Sequence, residues 1–171
     1  MMEDGATNRG PVTLRPVEAD DEPFLLSVYT TTRAAEMAHV PWSDEQRAAF
    51  VRMQFTAQKQ HYETHTPEAK HDVILFNGLP VGRIYVDRRE SEIHILDITV
   101  LPEHRHQGIG LTLIKALMEE AASAGKTVKI HVETYNPSRQ IFERLGFLPL
   151  EDDGMNILFE WRAERDKRAH L

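Results

Sequence analysis

Cysteine is absent from this chain of 171 residues. That excludes disulfides, thiolate metal sites and a cysteine nucleophile. Long apolar runs are also missing. No stretch of about 18 apolar residues occurs, so no membrane-spanning helix is expected. Positive charge is in deficit: 20 basic residues against 27 acidic ones leave a formal charge of −7. A protein that coats nucleic acid would show a basic face instead. The opening MMEDGATNRG lacks the apolar core of a secretory signal, so a soluble, cytoplasmic protein is the expectation. There is no repeat of 20–50 residues and no low-complexity tract. No G-x-S-x-G elbow is present for a serine nucleophile. Nine histidines are many for this length, but His61, His65 and His71 lack carboxylates at metal-ligand spacing, and no metal site is expected.

Hydrophobic residues make up 41% of the chain, enough for the core of one domain. Residues 1–10 read as a flexible leader, 11–163 as a single domain and 164–171 as a polar tail. Val12–Arg15 forms a short strand. Asp20 or Asp21 caps a helix over about 22–38 with Pro23 in its first turn. The sequence HVPW (39–42) breaks it. Ser43 with Gln46 three residues on is a capping-box pattern and starts a second helix to about His61.

The second half changes character. Strands are expected at 72–76, 79–89 and 92–100, the first two joined by Asn77-Gly78, a tight-hairpin pair. A helix over 108–124 follows, with Ile109, Leu113, Ala116, Leu117 and Ala121 on its apolar face and Leu111, Ile114 and Met118 widening it. Next come a strand at 127–133, a short helix from Pro137 to about Leu145, and a final hairpin of 147–150 and 155–162. The class is mixed α and β. The unit 92–100, 108–124, 127–133 is β-α-β, which sets its strands parallel with a right-handed crossover.

The stretch RHQGIG (105–110) links that strand to that helix. Glycines there let the backbone approach a ligand. The helix start adds unpaired N–H groups and partial positive charge, and Arg105 adds a forked cationic donor. The combination suits a phosphate or diphosphate. A tight turn with no ligand is the plainer reading of two such glycines. The dinucleotide fingerprint G-x-G-x-x-G is not met, since Leu113 stands where its third glycine belongs, and no Walker A spacing exists.

What remains is R-x-x-G-x-G, and here the chain resembles the GCN5-related N-acetyltransferase (GNAT) family. Its acetyl-CoA pyrophosphate loop has the pattern [QR]-x-x-G-x-[GA] after the fourth strand. The run ITVLPEHRHQGIG keeps strand, proline-containing link and loop in the family's order. NPSRQIFERLGF (136–147) resembles the family's second signature. The likeness covers roughly residues 72–150.

The resemblance implies a three-layer fold: a mixed, mostly antiparallel twisted sheet of about six or seven strands, with strands 4 and 5 splayed, flanked by about four helices. It implies acetyl-CoA as co-substrate and attack of a free amine on the thioester. The acceptor would be a primary amine of a small molecule or peptide. By the same resemblance the main chain of Ile98 and Val100 pairs with the pantetheine arm. Arg105, Gln107, Gly108, Ile109 and Gly110 hold the diphosphate, and Asn136 contacts the arm. Glu92 aligns with a glutamate that serves as base in some members, and Asp97 is the other carboxylate on that strand. Phe142 falls among the cofactor-contacting positions, where many members carry a tyrosine as acid. Phenylalanine donates no proton, so water, Ser138, Tyr135 or Tyr85 is left for that role. A non-turnover acyl-CoA-binding module is the second reading, favoured by Phe142. The family also admits a homodimer.

Overall fold

The computed structural model describes residues 11–163. The expected leader and tail, 1–10 and 164–171, lie outside the described residues. The strands are β1 (Val12–Pro16), β2 (Lys70–Phe76), β3 (Leu79–Arg88), β4 (Glu92–Val100), β5 (Thr127–Glu133), β6 (Leu148–Asp152) and β7 (Asn156–Trp161). The helices are α1 (Glu22–Met37), α2 (Asp44–His65), α3 (Ile109–Ala124) and α4 (Arg139–Arg144). The seven-stranded sheet has the order β1-β2-β3-β4-β5-β7-β6. β4 and β5 are parallel, as the β-α-β reading requires, while β1–β2, β5–β7 and β6–β7 are antiparallel. Asn77 and Gly78 both take positive φ, 54° and 81°, the backbone of a type I′ hairpin turn.

Two compact units make up the chain. Among the described residues, one holds 11–84 together with Ile98–Gly110; the other holds Tyr85–Asp97 and 111–163. In the first unit, Leu25, Tyr29 and Met37 of α1 pack with Val51 and Phe55 of α2. The Tyr29 and Phe55 rings lie 5.7 Å apart. The Ser43–Gln46 box forms in both directions, with bonds of 3.1 and 2.9 Å. Asp21 stands at the N-cap of α1, as expected, but its side chain makes no cap hydrogen bond to the helix. Its carboxylate accepts from Glu18 N and from two nitrogens of Arg15, and so closes a 3-10 turn ahead of α1. The charge-assisted bonds to Arg15 outcompete simple helix capping.

In the second unit, Ile93 and Ile95 of β4, Val128 and Ile130 of β5, and Ile157 and Phe159 of β7 are buried. Helix α3 buries Leu113, Ile114, Leu117, Met118 and Ala121. Leu111 and Ala116 are exposed instead of buried, so the apolar stripe is rotated from the expected one.

β4 is the strand that matters most. Its burial alternates from Glu92 to Ile95, and from Leu96 to Val100 every residue is half-buried. Its register with β5 runs from Glu92↔Thr127 to Ile95↔Ile130 and goes no further. Regular pairing and regular burial end at the same residue.

Candidate functional site

Residues Ile98–Gly110 of the first unit carry the candidate anion loop. As the chain leaves the sheet, Leu101 N donates to Val81 O at 2.8 Å. Pro102–His104 make one 3-10 turn, where proline's missing N–H costs nothing. The chain then alternates in hand. His106 has φ 65° and Gly108 has φ 80°, while Gln107 between them is not left-handed. Such alternation turns successive N–H groups into one concavity, a nest for anions. Helix α3 starts at once, at Ile109. Its first N–H groups and its positive dipole end add to the same field.

Side chains hold this loop in place. Ile109 is only 2% exposed and pins the helix start. Arg105, Gln107 and Gly108 are exposed. Arg105 Nε donates to Val100 O at 2.9 Å, which moors the cation to the strand end. Gly110 is in ordinary helical backbone, and a Cβ built on it meets nothing within 4 Å. Packing within the protein therefore does not demand glycine there, although glycine costs about 1 kcal/mol against alanine in a helix. His106 is a left-handed loop residue that spacing did not reveal. A left-handed non-glycine residue costs roughly 1–2 kcal/mol, and that strain sits between Arg105 and Gln107.

The other expected residues belong to the second unit. Glu92 opens β4 with both oxygens engaged. Lys129 Nζ lies 3.1 Å from Oε1, and Arg89 Nη1 donates to Oε2 at 3.2 Å. Arg89 Nε also donates to Asp87 at 2.7 Å, and Arg162 Nε donates to Glu160 at 3.0 Å, with Lys129 4.0 Å from Glu160. Asp87, Arg89, Glu92, Lys129, Glu160 and Arg162 thus form a chain of alternating charge. Asp87 and Glu160 are buried in it, which is tolerable only because cations are adjacent. Asp97 lies beyond the last β4–β5 pair and is half-buried.

Asn136 turns its side chain to the backbone: Oδ1 accepts from Ser138 N at 2.9 Å. The donor end of that amide is what it has left to offer a ligand. Phe142 is 3% exposed. Its ring packs edge-on against Phe147 at 5.3 Å and beside Phe159 at 6.2 Å. It anchors the six-residue α4 in the core. Of the alternative hydroxyls, Tyr135 is 91% exposed.

His94 stacks on His131 with centroids 5.4 Å apart, and its Nδ1 is buried with no hydrogen-bond partner. Burial first, then the charges of Arg89 and His131, push its pKa down to about 4. The ring is neutral at pH 7. Below 6.5 the unfolded histidine takes up a proton that the folded one refuses until about 4, so stability falls as pH drops through that window. His71, in the first unit, is also pushed down to about 4, mainly by burial. We expect the thermal midpoint to fall from pH 6.5 to 4, and His94→Leu to make that fall shallower. An unchanged slope in His94→Leu would remove His94 from the account.

Among the described residues, no group of three His, Asp or Glu side chains is placed to hold a metal. No described helix is long and apolar enough to cross a membrane.

The model of the acetyltransferase (GNAT) family matches residues 28–147. Solved structures share the fold. The PaiA N-acetyltransferase of Thermoplasma acidophilum, in complex with coenzyme A, is 17% identical with a TM-score of 0.66. That match covers 89% of this chain and 99% of the other. An acetyltransferase of Thermus thermophilus is 15% identical with a TM-score of 0.62, over 88% and 96% of the two chains. Naa50 of Arabidopsis thaliana, in complex with the bisubstrate analogue CoA-Ac-MVNAL, is 16% identical with a TM-score of 0.59, over 88% and 97%.

Proposed function

This chain belongs to the GNAT family of acetyltransferases, with acetyl-CoA as co-substrate, and on that premise we propose that it acetylates a primary amine of a small molecule or peptide. The observation that carries the reading is the loop after β4. Left-handed backbone at His106 and Gly108, an exposed Arg105 and an immediate helix start together make a seat for a diphosphate. The open space beside Gly110 leaves room for one.

The residues divide the work as follows. The amides of Gln107, Gly108, Ile109 and Gly110 hold the diphosphate, with Arg105 supplying charge. Val100 and Ile98 offer main-chain groups to the pantetheine arm, and Asn136 offers its amide donor. Acetyl-CoA supplies an acyl group already activated as a thioester. The acceptor arrives as an ammonium ion at neutral pH, so a base must take its proton before the nitrogen is nucleophilic. We assign that proton to Asp97, directly or through one water. Asp97 lies on the half-buried stretch of β4 beyond its last pair with β5. Glu92 then serves to organise the charged network.

Phe142 supplies no proton to the departing thiolate. A thiol with pKa near ~8.5 leaves acceptably as an anion, so none is required. The net charge of −7 is compatible with a cationic acceptor.

The test is thiol release from acetyl-CoA on mixing with small amines and with peptides bearing a free N-terminus. Release that depends on a primary amine supports the proposal. Coenzyme A binding without release for any amine would favour a binding module instead.

A further inference from the structure

Gly82 of β3 lies against the main chain of β4 at Thr99 and Val100. A Cβ placed on it would stand 2.1 Å from Thr99 O, 3.0 Å from Val100 Cα and 3.1 Å from Thr99 C. The same construction at Gly78, Gly108, Gly110, Gly125 and Gly154 meets nothing within 4 Å. Carbon–oxygen contacts between strands settle at about 3.3–3.6 Å. An alanine here would force the β4 main chain away by about 1 Å, and main chain cannot rotate aside as a side chain does.

The direction of that contact has a consequence for Val100. Across a trans peptide the carbonyl and the following N–H point opposite ways. With Thr99 O lying on Gly82 of β3, the Val100 N–H points away from β3. Leu101 N donates to Val81 O at 2.8 Å, so Val100 O points away from β3 as well, and Arg105 Nε meets it there at 2.9 Å. The side of β4 that Val100 presents, and the start of the anion loop, are both referred to β3 through this close approach.

We propose that Gly82 is a positioning residue for coenzyme A binding: its bare Cα lets Thr99–Val100 lie against β3, and this aims the Val100 main chain and seats Arg105. The proposal rests on the reading of Ile98–Gly110 as the coenzyme A site. Gly82 touches no ligand itself and acts through the β4 backbone.

Three variants test it, with coenzyme A affinity measured by calorimetry and KM and kcat measured for acetyl-CoA. Gly82→Ala is expected to weaken coenzyme A at least ~10-fold and to raise KM more than it lowers kcat, since a displacement near 1 Å costs up to ~100-fold at a well-fitted site. The Leu101 amide should also lose protection from hydrogen exchange. Gly154→Ala is the control. Its φ of 87° makes any side chain strained, so it should lower the melting temperature and leave coenzyme A affinity unchanged. If Gly82→Ala fails to fold, Gly82→Ala with Thr99→Gly relaxes the clashing backbone and is expected to fold, still binding weakly.

Wild-type affinity in Gly82→Ala, or in the double variant, overturns the proposal. So does an equal loss of affinity in Gly154→Ala, which would mark mere destabilisation. Failure of the wild-type chain to bind coenzyme A would instead overturn the site assignment, and Leu101 exchange would still report whether Gly82 holds β4.

Discussion

Gly110→Trp is expected to abolish coenzyme A binding, by at least ~100-fold in affinity, while leaving the chain folded. The reasoning starts from the open space at this position. A Cβ on Gly110 meets no protein atom within 4 Å, so an indole can leave the helix start without displacing the core. It is then expected to fill space that an anion at the left-handed turn of His106 and Gly108 would need. The loop's N–H groups lose access to an anion, and losing several charge-assisted hydrogen bonds, each worth about 1.5–3 kcal/mol, accounts for the drop. Gly110→Ala should behave in the opposite way. It should stabilise the fold by about 0.5–1 kcal/mol, since alanine is the better helix former, and should change affinity less than ~3-fold. Gly108→Trp is worse on both counts, because φ 80° is unfavourable for any side chain. Calorimetric titration with coenzyme A, alongside thermal melting, separates these outcomes. Unaltered affinity in Gly110→Trp would remove the loop from the cofactor site.

Asp97→Asn carries the second large effect. As proton acceptor for the ammonium, Asp97 is expected to contribute 10²–10⁴-fold to kcat/KM, the ordinary range for a positioned base. The KM for acetyl-CoA should hardly move, because asparagine keeps the shape and the loop is untouched. The deficit should be greatest at neutral pH and shrink as pH approaches the amine's own pKa, about 10.4 for a lysine-like acceptor, where the free amine no longer needs a base. Glu92→Gln makes the informative contrast. It leaves Lys129 and Arg89 without their shared carboxylate, so it should cost stability, and its rate loss should stay below ~10-fold with an unaltered pH profile. A normal rate for Asp97→Asn at pH 7, or a larger loss for Glu92→Gln, would reverse the assignment.

Much of the architecture was legible because it is written locally. The strand 92–100 and the strand 127–133 fall where alternation and β-branched residues put them, and both are observed with those bounds. Asn77-Gly78 signals its turn through two residues that tolerate positive φ. The loop motif is contiguous, so its spacing survives without any knowledge of packing. Helix ends were less legible. Helix α2 continues to His65, past the expected His61, since the polar residues there carry no breaker. The buried face of α3 was misjudged at Leu111 and Ala116, because a periodic stripe wider than its neighbour leaves the choice of edge to the sheet beneath it.

The sequence by itself determined the order of elements, the parallel β-α-β unit and the likeness to one family carried by the R-x-x-G-x-G loop, all through residues adjacent in the chain or at helical and strand spacing. Only the tertiary structure decided what those residues meet. Glu92 is bound to Lys129, 37 positions on, Gly82 lies under Thr99, and Phe142 is locked between Phe147 and Phe159. Such partners are chosen by strand register and helix packing. These are collective outcomes of burying the whole core, and no local pattern encodes them.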